Sequence, residues 1–423
     1  MTEEPGLSQL AQWRADTPGA SRRTHLNNAG AGLMPAPVLS AMETHLRREA
    51  ELGGYEAADA SAAVVDRAYR EVAGLIGTKP RNIAMVENAT VAVSQALSAF
   101  DFEPGDAVVT SRADYVSNQL MLLSLARRRR IEIRRAADLP DGGIDPTSVD
   151  ELLADGRVRL VVLSWIPTNS GLIQNVAAVG AICARRGIPY LVDGCQAVGQ
   201  LPVDVTQIQC DFFGATARKF LRGPRGQGFL AVSDRILAEG KYPLYLDLRG
   251  GDWTAADDFI PAIDARRFEN WEFSYAGVLG LGEAARYART AETAAAYDRV
   301  RWLATVLRDR VSAIPGVRVL DRGRSLAAIV TADLGVDAQP VRDALRARAI
   351  NTSVTTRAAA VIDMDAKGVQ SALRLSPHYY NTTDEIDRCA EALSEILRDR
   401  PSVPAKGSSG ATAPWTRDQP RNR

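Results

Sequence analysis

Short apolar runs alternate with stretches of helical periodicity through the middle of the chain, from about residue 81 to residue 232. Strands separated by helices are typical of a mostly parallel sheet that is covered by helices on both faces. The pattern predicts strands at residues 107–111, 131–135, 158–164, 189–192, 212–215 and 228–232, and helices at residues 91–100, 118–129 and 174–186.

A second and smaller α/β region follows. The pattern there predicts strands at residues 317–321, 326–333, 351–354 and 372–377, and helices at residues 284–314, 341–348 and 383–398. We therefore expect a large domain over residues 24–290 and a small domain made of residues 1–23 and 291–400. Residues 401–423 are rich in Pro, Gly, Ser and charge and lack periodicity, which predicts a disordered tail.

Length and charge narrow the class of partner. With 423 residues and 46% hydrophobic content, the chain exceeds the size at which a single core stops growing. The formal net charge is +0, so no global field favours nucleic acid or an anionic membrane. A run of four arginines at residues 127–130 ends a predicted helix, where cations suit the helix dipole and remain solvated. We expect a small-molecule partner and no nucleic-acid partner.

The amino terminus carries acidic residues and no apolar run, and no stretch approaches the length of a membrane span. We therefore expect a cytoplasmic protein with no membrane partner. The cysteines and histidines are scattered without metal-ligand spacing, so we expect no metal site. They are Cys183, Cys195, Cys210, Cys389, His25, His45 and His378.

Lys219 is one of only five lysines in a chain with 51 basic residues, and it follows a predicted strand. Upstream, Asp193 ends an apolar strand-like run and precedes a turn glycine. The interval, 219 minus 193, is 26 positions, which leaves room for one crossover and a second strand. Both side chains could then reach the carboxyl edge of one parallel sheet. An ordinary βαβ unit with a surface lysine has the same spacing, so both interpretations stay open at this point.

An acid and a lysine at one sheet edge are the pair that pyridoxal phosphate requires. The lysine amine forms a Schiff base with the cofactor aldehyde, and the carboxylate keeps the pyridine nitrogen protonated so that the ring accepts electrons. In the segment Glu87-Asn-Ala-Thr-Val-Ala-Val-Ser, small and hydroxylic residues precede a predicted helix. Backbone amides around Ala89 and Thr90, with the Thr90 hydroxyl, would make an anion site there, and a plain helix cap is the alternative.

Four motifs, in this order, resemble those of class V aminotransferase-fold enzymes, over about residues 24–398. They are His25-Leu-Asn-Asn-Ala-Gly30, Asp193-Gly-Cys-Gln196, the segment around Lys219, and Arg374-Leu-Ser-Pro-His-Tyr-Tyr-Asn-Thr382. The group includes cysteine desulfurases, selenocysteine lyases and isopenicillin N epimerases. The resemblance implies the α/β fold type I of pyridoxal phosphate-dependent transferases, with a large mostly parallel sheet domain and a smaller carboxy-terminal α/β domain. It also implies a homodimer.

The resemblance assigns cofactor contacts residue by residue. It implies that Lys219 holds pyridoxal 5'-phosphate covalently, that Asp193 pairs with the pyridine nitrogen and that Gln196 contacts the ring hydroxyl. Thr216 is implied as a phosphate ligand. Arg218 stands where the family usually has histidine and could still bind phosphate with its guanidinium fork.

The remaining assignments concern the two sides of the cofactor. Tyr115 matches the ring that the family places over the cofactor face, and a core tyrosine at a strand end is the alternative. Asn169 is expected near the ring hydroxyl or the substrate, although Thr168 could hold that place. Arg374 is expected to bind the substrate carboxylate and so to set which bond to the α carbon breaks. The backbone that lies beside it would be that of Asn28, Ala29 and Gly30.

Two departures from the desulfurase pattern matter. Desulfurases of this group carry a nucleophilic cysteine on a loop before the final strand, whereas residues 353–364 contain none. We expect Cys195, beside Asp193, to be a packing residue. Residues 268–275 also lack the glycine and threonine that reach the phosphate of the neighbouring subunit, so Glu272 or Ser274 would have to replace them.

The leading hypothesis is a pyridoxal phosphate-dependent lyase that breaks the carbon–sulfur bond of an S-substituted cysteine by β-elimination. This route resembles that of the sulfoxide lyases of thiol-histidine biosynthesis and of lyases of secondary metabolism, and it needs no catalytic cysteine. Transamination and epimerisation use the same carbanion and stay open. A desulfurase-like protein without turnover is a further alternative, against which the pairing of Asp193, Lys219 and Arg374 argues.

Overall fold

The computed structural model describes residues 4–291 and 294–399. Its strands are β1 (Thr24–His25), β2 (Ile83–Val86), β3 (Ala107–Thr110), β4 (Glu132–Arg135), β5 (Val158–Ser164), β6 (Tyr190–Asp193), β7 (Phe212–Thr216), β8 (Gly228–Val232), β9 (Gly251–Ala255), β10 (Asp258–Pro261), β11 (Arg318–Val319), β12 (Val330–Asp333), β13 (Ile350–Asn351), β14 (Ser353–Thr356) and β15 (Ser371–Leu375).

The α-helices are α1 (Leu7–Ala15), α2 (Ala36–Leu52), α3 (Gly54–Leu75), α4 (Ala89–Ser98), α5 (Val116–Arg129), α6 (Pro146–Leu152), α7 (Val176–Arg186), α8 (Val205–Ile208), α9 (Asp234–Ala238), α10 (Tyr275–Ala291), α11 (Ala294–Ser312), α12 (Ala338–Ala347), α13 (Val361–Lys367) and α14 (Thr383–Arg398). Short 3-10 helices lie at Pro18–Ser21, Pro80–Asn82, Ala265–Phe268 and Arg357–Ala359. Among the helices of this described part, none is both long and apolar enough to cross a membrane.

A large sheet with the strand order β2-β8-β7-β6-β5-β3-β4 forms the centre of the molecule. The strands from β7 to β4 are parallel, and β8 runs antiparallel to both β7 and β2. The predicted mostly parallel sheet is therefore confirmed. The pattern did not predict β2, a four-residue strand, and it could not give the reversed direction of β8.

Helices cover both faces of this sheet, as the apolar runs predicted. Along β5, Val161 and Leu163 join a buried cluster with α3, α7 and α10, while Leu160 and Val162 join a second cluster with α4 and α5. Successive side chains of a strand point to opposite faces, so a strand covered on both sides must be apolar at nearly every position. This requirement explains the continuous apolar run of β5.

The carboxy-terminal region forms a smaller antiparallel sheet, with the order β11-β12-β15-β14, against α11, α12 and α14. β1 pairs in parallel with β13, through Thr24 with Ile350 and His25 with Asn351. The segment at residues 24–25, where we expect the large domain to start, thus pairs with β13 of the predicted small domain, and the domain boundaries stay a prediction. The stretch 284–314, predicted as one helix, contains parts of two helices, α10 and α11. The predicted tail at 401–423 lies outside the described residues.

Glu269 connects three elements of the large domain from a buried position. Its carboxylate accepts hydrogen bonds from the Tyr69 hydroxyl of α3, at 2.8 and 2.9 Å, and from the Met85 amide of β2, at 2.7 Å. The Arg249 guanidinium lies 3.7 Å away. Burial, opposed by these donors, raises the pKa of Glu269 from 4.5 to about 7.

This raised pKa predicts a pH dependence of stability. The folded protein binds the proton of Glu269 more tightly than the unfolded chain, so the group costs stability as the pH rises from 4.5 through about 7. Glu269→Gln should remove that loss, which is on the order of 3 kcal/mol, and should flatten the change in urea midpoint between about pH 5 and about pH 8. The exposed Glu151→Gln is the matched control, and an equal slope in wild type and Glu269→Gln would contradict the assignment.

Candidate active site

The loops that leave the parallel strands open at one edge of the large sheet. Ser164, Asp193 and Gly214 lie side by side in the register of β5, β6 and β7, so the carboxyl ends of these strands coincide. β2 runs in the same direction as β7, because β8 is antiparallel to both. The loops at this edge carry the predicted site residues and comprise residues 87–90, 111–115, 165–169, 194–196 and 217–219.

Lys219 is buried, with a relative exposure of 7%, and its ammonium nitrogen lies 5.6 Å from the centroid of the Tyr115 ring. Burial lowers the pKa of Lys219, while Cys195 and Asp193 act in the opposite direction. A lysine with a lowered pKa provides more free amine at neutral pH, which suits a nucleophile or a base. The surface-lysine interpretation of the sequence is therefore wrong.

Asp193 ends β6 with a hydrogen bond on each carboxylate oxygen. The Cys195 amide donates to Oδ1 at 3.0 Å, and the Asn118 side-chain amide donates to Oδ2 at 3.0 Å. Burial, followed by the charge of Asp193, raises the pKa of the Cys195 thiol well above its usual range. Cys195 is thus a buried thiol, as the sequence analysis expected of a packing residue.

The predicted anion site lies where α4 begins next to the end of β7. Asn88 caps α4 by accepting from the Val91 amide at 3.0 Å, whereas the amides of Ala89 and Thr90 precede the hydrogen-bond ladder of the helix. Gly228 of β8 pairs with Thr216 at the end of β7, and a Cβ built at Gly228 would lie 3.1 Å from the Asn88 Cα. Gly228 therefore lies between β7 and the start of α4. The predicted helix cap and the predicted anion site can therefore coexist.

Arg218 contacts the amino-terminal segment. Its guanidinium donates a hydrogen bond to the Gly30 carbonyl, and its own carbonyl accepts from the Gly32 amide at 2.8 Å. Burial lowers the pKa of Arg218. The structure thus brings Arg218 and Gly30 together, and a phosphate contact of Arg218 stays a prediction.

Arg374 and Gln196 meet at Thr168. Arg374 donates from Nη1 to the Thr168 carbonyl at 2.9 Å and hydroxyl at 2.7 Å, and from Nε to the Ser353 hydroxyl at 3.0 Å. The Gln196 amide donates to the Thr168 hydroxyl at 3.3 Å and to the Ala29 carbonyl at 3.1 Å, and its Oε1 is buried without a hydrogen-bond partner. Burial lowers the pKa of Arg374 to about 10, so the group remains cationic at neutral pH.

Two predicted site residues face elsewhere. The Asn169 amide donates to the Asp363 carboxylate of α13 at 2.5 Å, whereas the Thr168 hydroxyl contacts Gln196, and the choice between the two residues stays a prediction. The fully buried Asn28 side chain donates to the Ser376 carbonyl at 2.8 Å and accepts from the Tyr380 hydroxyl at 2.5 Å. Asn28 therefore joins segments of the fold, and only the carbonyls of its neighbours Ala29 and Gly30 reach site residues.

Sequence reasoning missed several residues that the fold brings to the site. Asp114 and Asn118 flank Tyr115 and bracket the start of α5, and Ser164 ends β5 beside Asp193. Asp114 and Asn118 lie four positions apart around Tyr115, the predicted ring-stacking residue, and this polar pair could have indicated both residues from the sequence. No pattern marked Arg222.

Arg222 is fully buried three residues after Lys219, in a turn with φ of 62°. Its amide donates to the Lys219 carbonyl at 2.9 Å, and its side chain donates to the Leu33 carbonyl, the Thr17 hydroxyl and the Tyr379 hydroxyl. The guanidinium carbon lies 4.7, 5.3 and 5.7 Å from the ring centroids of Tyr380, Tyr379 and Tyr287. The lysine turn is thereby connected to the amino-terminal segment and to the motif that follows Arg374.

Comparison with known proteins agrees with this geometry. The sequence matches the Aminotransferase class-V family over residues 24–389. It is 29% identical over 393 residues to the probable hercynylcysteine sulfoxide lyase of Mycobacterium tuberculosis, covering 92% of this chain and 93% of that one. It is 29% identical over 346 residues to the isopenicillin N epimerase of Streptomyces clavuligerus, covering 79% and 85%. The cysteine desulfurase CsdA from Escherichia coli has a similar fold, with a TM-score of 0.84, 22% identity and coverage of 92% and 98%. The predicted fold is confirmed.

The buried thiol of Cys195 should be unreactive in the native protein. Alkylation requires the thiolate, and each unit by which a pKa is raised lowers the thiolate fraction roughly tenfold. Incubation with a maleimide at neutral pH should leave Cys195 unmodified in peptide mass spectra until the protein is unfolded. Cys195→Ala identifies the peptide, and labelling of the folded protein as fast as that of a free cysteine would contradict the prediction.

Proposed function

The chain belongs to the class-V aminotransferase family, and we propose that it is a pyridoxal phosphate-dependent lyase that cleaves the carbon–sulfur bond of an S-substituted cysteine. Pyridoxal phosphate is the cofactor of this family. The observation that carries the proposal is the buried Lys219 amine, which lies against the Tyr115 ring and within the electrostatic reach of Asp193. The similarity to a probable sulfoxide lyase supports the choice of reaction.

The residues present fit this cofactor. Gln196 Oε1 is a buried polar atom without a partner, next to the place where the ring hydroxyl is expected. Asp193 offers a buried carboxylate for the pyridine nitrogen, and Lys219 offers an amine for the aldehyde. The amides at the start of α4 suit a phosphate dianion, and Thr216, whose hydroxyl donates to the Gln227 carbonyl at 3.3 Å, pairs with Gly228 next to Asn88. We assign the Thr168 hydroxyl, in place of the Asn169 amide, to the neighbourhood of the ring hydroxyl.

Lys219 serves as the base in this proposal. When bound, the cofactor supplies an electron sink conjugated to the α carbon of the substrate. The Lys219 amine accepts the α proton at Nζ, a role that its lowered pKa favours because more of the amine is unprotonated. Asp193 would pair with the pyridine nitrogen, and the Cys195 and Asn118 donors hold its two carboxylate oxygens in place.

Arg374 orients the substrate. Its guanidinium carries the positive charge that an α-carboxylate needs, and hydrogen bonds to Thr168 and Ser353 fix the plane of the fork. A substrate carboxylate held by Arg374 in this way would select which bond to the α carbon is broken. The Thr168 hydroxyl also accepts a hydrogen bond from Gln196. One hydroxyl therefore contacts both the residue proposed for the substrate carboxylate and the residue proposed for the ring hydroxyl.

The overall reaction needs no catalytic thiol. The Cα–H and Cβ–S bonds break, the sulfur leaves as a thiol or sulfenate, and addition of water yields pyruvate and ammonia. A persulfide route would instead need a thiolate that attacks the substrate sulfur. Residues 353–364 contain no cysteine, and the pKa of the Cys195 thiol is raised by burial. Both observations favour elimination over desulfuration.

Epimerisation or transamination is the second candidate, and the 29% identity to an isopenicillin N epimerase supports it. Both reactions share the removal of the α proton by Lys219 and differ in where a proton returns. Accumulation of the pyridoxamine form would identify transamination, and inversion of an amino acid without release of pyruvate would identify epimerisation. A protein without turnover is disfavoured by the arrangement of Lys219, Asp193 and Arg374.

We further propose a homodimer in the cytoplasm. Large apolar side chains are exposed on β9, β10 and the adjoining loops, an arrangement that suits a protein interface. They are Ile263 at 82%, Tyr245 and Trp253 at 81%, Leu248 at 64%, Ile260 at 58% and Trp271 at 46% relative exposure. Glu272 and Ser274 lie next to this surface and stay candidates for a contact with the phosphate site of the partner. The four free cysteines suit a reducing compartment.

Removal of the lysine amine tests the cofactor assignment. The Lys219→Ala variant should lose the visible absorbance of the cofactor–lysine adduct and should lower the release of pyruvate from S-substituted cysteines by at least about a thousandfold. The exposed Lys79→Ala is the matched control and should match wild type. A colourless wild-type protein that takes up no pyridoxal phosphate, or release of pyruvate by Lys219→Ala at the wild-type rate, would refute the proposal.

A second test addresses the carboxylate site. Wild type should prefer an S-substituted cysteine over its methyl ester, and Arg374→Leu should reduce that preference about tenfold or more, because the charged hydrogen bonds are lost. Thr168→Ala should raise KM for the free acid more than Asn169→Ala does, since only Thr168 contacts Arg374. The exposed Arg357→Ala serves as the control, and an unchanged preference in Arg374→Leu would contradict the assignment.

A further inference from the structure

A second buried carboxylate, that of Asp114, shares a hydrogen-bond donor with Asp193. The Asn118 side-chain amide donates to Asp193 Oδ2 at 3.0 Å and to Asp114 Oδ1 at 3.3 Å. Both carboxylates are buried, with relative exposures of 5% for Asp193 and 7% for Asp114. One amide therefore connects the acid proposed to pair with the cofactor to a second buried acid.

Asp114 is surrounded by donors from three elements. The Tyr115 amide donates to its Oδ1 at 2.7 Å, and the Ser164 hydroxyl of β5 makes a very short contact with the same oxygen. Thr110 of β3 and Gln119 of α5 donate to Oδ2 at 3.0 and 3.1 Å. The rotation of the Asp114 carboxylate is thus fixed, and so is the position of the groups that bind it.

The electrostatic environment shows that this arrangement is costly. Burial raises the pKa of Asp114, and the negative charge of Asp193 acts in the same direction, against the effect of the hydroxyl and amide donors. The other titratable groups around the pair are Lys219, Cys195 and Tyr115. Two buried acids this close together cost more free energy than one acid would. We therefore expect the pair to have a function.

We propose that Asp114 is a positioning residue for the groups on both sides of the cofactor. Through Asn118 it fixes the rotation of the Asp193 carboxylate, since each oxygen of Asp193 then has one fixed donor. Through the Tyr115 amide it fixes the first residue of the turn into α5, and with it the ring that faces Lys219. The inference rests on the proposed function, because it assigns a purpose to the placement of Asp193 and Tyr115.

A purely structural role for Asp114 makes different predictions. Tyr115 occupies the N-cap position of α5 and makes no side-chain cap bond, so Asp114 could simply stabilise the start of this helix. In that case its removal would lower the unfolding temperature and leave the spectrum of the bound cofactor unchanged. The positioning role predicts a change in the visible circular dichroism of the cofactor, which reports how rigidly the ring is held.

The experiment is a double-mutant cycle on the protein loaded with pyridoxal phosphate. Asp114→Ala, Asn118→Ala and the double variant are compared with wild type for visible circular dichroism and for kcat of pyruvate release. Each single variant should retain the covalently bound cofactor, should lose roughly half or more of the dichroic signal and should lower kcat about tenfold. The double variant should lose less than the product of the two single losses, because Asn118 and Asp114 share the route to Asp193 and only Asp114 also holds the Tyr115 amide.

Asp204→Ala is the control for a carboxylate that accepts backbone amides at a helix start, since Asp204 caps α8 and accepts from the amides of Thr206 and Gln207. It should reproduce the loss of a cap without the spectral change. If Asp114→Ala does not fold, Asp114→Asn takes its place in the cycle. Wild-type dichroism and kcat in the Asp114 variants, or losses that multiply in the double variant, would overturn the positioning role. A wild-type protein that binds no cofactor would instead refute the proposed function.

Discussion

The buried guanidinium of Arg222 is the interaction on which the geometry of the site depends. A buried cation must replace its water shell with protein acceptors, and here neutral oxygens of Thr17, Leu33 and Tyr379, together with tyrosine ring faces, do so. Because the amide of Arg222 also donates to the carbonyl of Lys219, the same residue fixes the turn that carries the amine. The amino-terminal segment, the large domain and the carboxy-terminal motif therefore meet one turn away from the lysine.

The carboxy-terminal motif has two separate tasks in this arrangement. Arg374 alone among its residues contacts Thr168 and Ser353 at the proposed carboxylate site. Two of its other polar residues contact distant segments: His378 bonds to the Phe220 carbonyl at 2.9 Å, and the Tyr380 hydroxyl donates to Asn28. The motif thus combines a proposed substrate ligand with contacts that hold the fold together. Mutations in its second half should be judged first as changes in packing.

The balance of charge around Lys219 follows from the same burial. An amine loses part of its preference for the proton when water is removed, and Asp193 restores some of it. A second acid, Asp114, could only be buried beside Asp193 because amide and hydroxyl donors converge on it from β3, β5 and α5. The site thus combines a lysine whose pKa is lowered with two carboxylates that hydrogen bonds hold in place. This combination suits proton transfer at carbon.

The sequence alone predicted the parallel sheet, which the structure confirms, because apolar periodicity is a local property. It also predicted a lysine and an acid at the carboxyl edge of that sheet, whereas the substrate-carboxylate role of Arg374 came with the family resemblance and stays a proposal. A shift of one residue in a loop leaves composition unchanged, so the sequence left Thr168 and Asn169 as alternatives. Only the tertiary structure shows that Asn169 pairs with Asp363 and Thr168 with Arg374. The tertiary structure alone also shows that Arg222 bonds to Thr17 and Tyr379. Contacts between residues far apart in sequence depend on how packed elements meet, and they leave no periodic trace in the sequence.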